Sequence, residues 1–198
     1  MPRGNLADLL ACSSVKLSWR ESLLTLSMQV ASALSYLHGH ADPIVHTDVK
    51  ARNILLSEVD QCKLADFGLA RAWPASQKRR GSKRSIGIVA GSGRYIAPEV
   101  RRGDGIRPCA DVWSFGVTLW EMTLRRQFPS SADADSRTPR WSRLLTTYGD
   151  YISQPSPFVR QLIASCLRVD PRERPASGEI YMQASVQHAC PRRDRQSH

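Results

Sequence analysis

The sequence has no paired cysteines. Its five, Cys12, Cys62, Cys109, Cys166 and Cys190, are odd in number, scattered and never spaced as C-x-x-C. This argues against a disulfide framework or a zinc site and for a reducing compartment. No apolar run approaches the roughly 18–20 residues that span a bilayer, so no membrane segment is expected. The opening residues lack the charged-then-apolar pattern of a signal peptide, and the expected setting is cytoplasmic or nuclear. Acidic residues are the scarcer charge, 18 against 28 lysines and arginines, and none lies between Asp66 and Glu99. The resulting charge of +10 would suit nucleic acid. However, the basic residues form small separated clusters: Lys78-Arg79-Arg80, Lys83-Arg84, Arg101-Arg102, Arg125-Arg126 and Arg192-Arg193. No aromatic residues interleave with them to stack on bases, so no nucleic acid is expected. A solvated surface, or an acidic partner, accounts for the charge.

A chain of 198 residues suffices for one domain or one large lobe with a real core. MPRGNLADLL reads as a turn around Gly4 leading into a short helix. Ser18 with Glu21 forms a capping box, and Leu23, Leu26, Val30, Leu34 and Leu37 follow at helical spacing. Gly39 is expected to end that helix in the left-handed conformation. Asn53–Leu56 and Cys62–Ala65, joined by SEVDQ, predict a hairpin. Residues 69–96, with four glycines and seven basic residues, read as a surface loop. ADVWSFGVTLWEM (110–122) is apolar on nearly every side and predicts a buried central helix. Between 125 and 155 the pattern is broken, with one modest helix suggested by Trp141, Leu144, Leu145 and Tyr148. Ser156-Pro157 starts a helix with a face of Phe158, Leu162, Cys166 and Leu167, ended by Pro171. Ser177 starts the last helix, and a basic tail follows from about Cys190.

The chemistry concentrates in two strings, His46-Thr47-Asp48-Val49-Lys50-Ala51-Arg52-Asn53 and Asp66-Phe67-Gly68. They supply a carboxylate to accept a hydroxyl proton, a lysine to hold a phosphate, and two oxygen ligands for Mg²⁺. Phosphoryl transfer needs this inventory, because it depends on positioning and charge neutralisation more than on covalent help. A lone H-x-D triplet means little. Here the order adds weight: a hairpin, Asp-Phe-Gly, a long loop, Ala97-Pro98-Glu99, then the apolar helix headed by Asp111.

In that ordered set the chain resembles the protein kinase superfamily. GSGRYIAPEV (91–100) is similar to its substrate-docking segment, DVWSFGV (111–117) to its central helix, and CLRVDPRERP (166–175) to its late helix and arginine. MPRGNLADLL is similar to the hinge and the helix after it. The implied fold is mainly α with a small β-hairpin, the kinase C-terminal lobe (an α+β class), truncated. Residues 1–188 would be a partial kinase domain and 189–198 a basic tail.

By the resemblance, Asp48 is the catalytic base and Lys50 neutralises the transferred phosphoryl group. Asn53 and Asp66 bind Mg²⁺, and Gly68 permits the turn after Asp66. Met1 would touch the adenine of ATP, Leu55 would lie beneath it, and Asn5 would sit near the ribose. His46 and Phe67 would stack within an internal hydrophobic column. Asp111 would anchor the catalytic-loop backbone, and Glu99 would pair with Arg174 under the docking segment. The cofactors implied are ATP and Mg²⁺, and the partner is a protein substrate. Lys50 with Ser92 favours Ser or Thr as the acceptor. Ala51-Arg52-Asn53 has a tyrosine-kinase flavour, and the mixture most resembles the tyrosine-kinase-like group.

Two departures stand out. No G-x-G-x-x-G is present, and no strand lysine precedes the hinge, so the nucleotide-covering lobe is expected to be missing. Either the chain is a fragment of a full kinase, inactive alone, or it is an N-lobe-less pseudokinase or scaffold. Thr47 stands where the family has an arginine that pairs with a phosphate on the activation loop, and threonine cannot replace that charge. Ser82, behind Arg79-Arg80, is the candidate target of an upstream kinase, with a merely solvated basic loop as the competing reading.

Overall fold

A computed structural model describes residues 4–57, 61–73, 93–125 and 155–189, with the side chains of Arg20 and Glu21 outside the description. The predicted features at Met1, Glu21, Ser82, Ser92, Trp141 to Tyr148 and the basic tail therefore lie outside the described residues.

Helix α1 (Leu6–Ala11) follows Gly4, whose φ of +70° turns the chain. Asn5 and Asp8 close a capping box that satisfies the helix's first free amides. One π-helical turn, Trp19–Leu23, leads into α2 (Leu24–His38). The five apolar residues that predicted this helix are all buried. Gly39 closes it in a right-handed conformation (φ −79°), not the left-handed one expected. Its amide bonds Ser35 and Tyr36 carbonyls directly, so no left-handed turn is needed.

The predicted hairpin forms from β2 (Ile54–Leu56) and β3 (Cys62–Leu64), antiparallel with Ile54 opposite Leu64. Asn53 itself belongs to a 3₁₀ turn, Ala51–Asn53. A second, unpredicted pair joins β1 (Ile44–Val45) to β4 (Arg71–Ala72), antiparallel. A bridge between Asn5 and Leu55, and a bond from the Leu56 amide to the Gly4 carbonyl (3.0 Å), seat the entrance of α1 on the hairpin.

A short helix α3 (Pro98–Arg101) precedes α4 (Pro108–Leu124). Every α4 residue from Ala110 to Leu124 is buried, so this helix is the axis of the core. Helix α5 (Pro157–Cys166) carries the Ser156 cap and packs against it. Its buried face is Val159, Leu162, Ile163 and Cys166, with Phe158 only partly covered. Pro171 opens a 3₁₀ turn (Pro171–Glu173) rather than ending α5, which stops five residues earlier. Helix α6 (Ser177–Ala189) lies antiparallel along α2. Ser177 meets His38 at one end (2.9 Å), and His188 meets Thr25 at the other (3.1 Å).

Candidate active site

The loop 46–53 between β1 and β2 is held from beneath by one carboxylate. Asp111, fully buried near the start of α4, accepts the His46 amide at 2.7 Å on Oδ2 and the Thr47 amide at 2.8 Å on Oδ1. Oδ2 also accepts from His38 Nε2 at 2.9 Å. A carboxylate bonded by three donors loses little by being buried. His38, whose other ring nitrogen meets Ser177, was missed in the sequence because a histidine at a helix end reads as an ordinary terminus.

Asp48 is nearly buried, and its Oδ2 takes two bonds, from Lys50 Nζ at 2.7 Å and Asn53 Nδ2 at 2.9 Å. Asn53 Nδ2 also donates to the Asp48 carbonyl at 2.9 Å. Both amide hydrogens of Asn53 are thereby used, and its Oδ1 accepts from no described residue. Asp48 Oδ1 is likewise unclaimed among the described residues. Three of the four predicted phosphoryl-transfer residues therefore share one hydrogen-bonded cluster.

The fourth, Asp66, is brought alongside by the hairpin. The Ala65 amide bonds the Asn53 carbonyl at 2.8 Å, and Asp66 follows directly. Asp66 adopts the left-handed conformation (φ 66°, ψ 70°), and its Oδ1 accepts from the Gly68 amide at 3.4 Å. The residue that turns the chain is thus Asp66, not Gly68. Gly68 serves close approach instead, since a Cβ there would lie 3.3 Å from Asp66 Oδ1. His46 and Phe67 meet edge to face, with centroids 4.8 Å apart. Phe67 remains 49% exposed.

Leu55 is partly buried on the hairpin, next to Asn5. The Asn5 side chain is already committed to the helix cap, Nδ2 lying 2.6 Å from Asp8 Oδ2. A ribose contact would have to compete with that bond. Glu99 and Arg174 form a buried two-pronged pair, 2.6 and 2.8 Å. Arg174 also bonds the carbonyls of Cys109 and Arg168 and lies over the Trp113 ring at 5.0 Å. The Tyr95 hydroxyl donates to Glu121 at 2.6 Å, a pairing that sequence reading did not find. Burial, reinforced by that carboxylate, holds the phenol well above its ordinary value.

The sequence has known counterparts. The family described as protein tyrosine and serine/threonine kinase matches residues 1–183. The chain belongs to the protein kinase superfamily. A receptor-like protein kinase of Arabidopsis thaliana is 33% identical over 180 residues, covering 84% of this chain and 20% of its own length. A leucine-rich-repeat receptor-like serine/threonine-protein kinase of the same plant is also 33% identical, over 179 residues, with the same two coverages. This kinase chain spans about a fifth of the length of the curated relatives it matches. Its mostly helical build with two small sheets fits a kinase-like fold. None of the helices among the described residues is long and apolar enough to cross a membrane.

Proposed function

We propose that this chain carries the catalytic-loop side of a protein kinase site that transfers the γ-phosphoryl group of ATP to protein Ser or Thr. The observation that supports this most is the polarity of the Asp48 cluster. Lys50 and Asn53 both bond Oδ2, which fixes the carboxylate and leaves Oδ1 open to accept a hydroxyl proton. As the substrate oxygen bonds to phosphorus and the bond to the ADP oxygen breaks, Asp48 orients the hydroxyl and takes its proton. Lys50 lies 2.7 Å from that carboxylate and places a positive charge where the phosphoryl group would pass. Asn53 Oδ1 and the Asp66 carboxylate are a hard-oxygen donor set of the kind Mg²⁺ takes, and these two residues would hold it. Bound Mg²⁺ would neutralise charge on the phosphates. The retention of Lys50 and the relatives named serine/threonine kinases favour Ser or Thr, within the tyrosine-kinase-like group.

The assignment of residues 1–188 to a hinge and C-terminal lobe belongs to the same reading, as does a cytoplasmic or nuclear setting. These 198 residues contain no glycine lid and no strand lysine, so taken as a separate polypeptide they would give ATP only part of the contacts of a kinase site. The expected result is that Mg²⁺ and ATP together raise the melting temperature of the 198-residue polypeptide without phosphate transfer. Asp66→Asn should remove the stabilisation and Asp48→Asn should keep it. Transfer is expected from an upstream-extended polypeptide and lost in its Asp48→Asn variant. If the extended protein transfers phosphate equally well with Asp48→Asn, the proposal is wrong. With threonine at 47, phosphatase treatment of that protein should leave its rate nearly unchanged.

A further inference from the structure

The geometry points to Thr47 as a positioning residue whose hydroxyl, rather than any charge, clamps the turn that presents Asp66. This deepens the kinase reading and rests on it. His46 and Thr47 are consecutive, and their amides are fixed by the two oxygens of one carboxylate, Asp111. Their side chains then reach to the two carbonyls that flank the Asp66 turn. His46 Nε2 donates to the Ala65 carbonyl at 3.0 Å, and Thr47 Oγ1 donates to the Leu69 carbonyl at 2.9 Å. Residues 66–68 are thus suspended between two prongs of a single fork whose handle is Asp111.

Thr47 adopts φ 68°, a conformation that a β-branched residue enters only at a cost. The four hydrogen bonds donated by residues 46 and 47 hold it there. Beyond Leu69 the grip continues through main-chain bonds. Arg71 and Ala72 pair with Val45 and Ile44, and the Trp73 amide reaches the Pro43 carbonyl at 2.6 Å. From Ala65 to Trp73 every one of these tethers to residues 43–47 is uncharged in its acceptor. The position of Asp66 therefore needs no cation at 47 and no phosphate opposite it.

Hydrogen exchange of the 198-residue chain tests this with Thr47→Val and Thr47→Ser. Valine is β-branched and of similar size, so it keeps the backbone cost and deletes only the donor. Exchange at amides 68–73 should speed by about threefold to tenfold in Thr47→Val, the loss of one modest hydrogen bond, while α4 and α5 are unchanged. Thr47→Ser, which retains the hydroxyl, should match the parent, as should its Mg²⁺-dependent stabilisation by ATP. Unchanged exchange in Thr47→Val, or equal acceleration in Thr47→Ser, overturns the clamp. If Thr47→Val fails to fold, Thr47→Ala, which also deletes the donor, takes its place with the same expected and overturning results. If the parent shows no response to Mg²⁺ and ATP, the functional reading fails while the exchange comparison still decides the clamp.

Discussion

Gly116 shows how finely single positions are constrained. A Cβ at this point of α4 would lie 2.7 Å from the Cys166 Cβ and 3.1 Å from Leu167 side-chain atoms. Helix propensity favours Gly116→Ala by about 1 kcal/mol, but overpacking against a neighbouring helix costs about 1–3 kcal/mol. Overpacking should win, because the atoms it meets are a Cβ and a branched side chain already in the core. The expected outcome is a melting temperature lowered by about 2 °C or more, read by calorimetry. At this scale the sequence told which side chains would be grouped, the Glu99–Arg174 pair and the Asp111 anchor among them, and little of how the backbone would place them. Asp48, Asn53, Glu99, Arg174 and Asp111 were identifiable because their types and order match a family. The commitment of Asn5 to a helix cap, the left-handed Asp66 and the Thr47 hydroxyl bond were not, since each depends on backbone placement that residue identity leaves open.

Among the elements, two arginines do work that propensity does not record. Arg125, at the end of α4 with φ 49°, sends its guanidinium to the carbonyls of Leu9, Leu10, Cys12 and Val15. Those carbonyls lie at and just beyond the end of α1, six residues long and too short to stand alone. Arg125→Ala should therefore expose α1 to rapid hydrogen exchange over residues 6–12. Arg125→Lys should rescue it poorly, because an ammonium lacks the planar fork. Arg174 ties α3 to the turn before α6 through Glu99. Removing either partner should cost about 3–5 kcal/mol, as the other charge stays buried. Replacing both by apolar residues should cost less than either single change, measurable by urea unfolding. Helix α2 was readable from its periodicity, α4 from its continuous apolar run and α6 from the serine that opens it. The β1–β4 ladder was not, because strands of two residues carry no alternation to read.

Considered as a whole molecule, the core has thiols as well as hydrocarbon, Cys166 buried within it and Cys62 partly buried against it. Burial pushes Cys62 and Cys166 up to about 12 from the ordinary 9.0. The folded state therefore holds these protons more tightly than the unfolded chain. Between about pH 9 and 12 the unfolded state loses protons that the folded state keeps, so stability should fall as pH rises through that window and be unaffected below it. Denaturant midpoints at pH 8, 9.5 and 10.5 would show the decline, and Cys62→Ala combined with Cys166→Ala should lessen it, the buried Tyr95 phenol keeping a remainder at the highest pH. The overall class, helical with a small hairpin, was legible because the ordered motifs resemble a family that has it, beside one apolar central helix and two β-rich pieces joined by a polar turn. The way α6 clasps α2 through His188 and His38 was not, since it joins residues more than a hundred positions apart.

The hairpin's register carries one last implication, for tolerance to change in length. Leu55 opposite Lys63 and Leu56 opposite Cys62 fix where Asn53 and Asp66 fall relative to one another, whatever number of residues connects the strands. Extra residues placed between 57 and 61 lengthen a closing loop at a cost that grows only logarithmically. One residue added within 62–65 would swap the faces and carry Asp66 away from its partner. The joint between the two halves of the site is indifferent to the first kind of insertion and intolerant of the second.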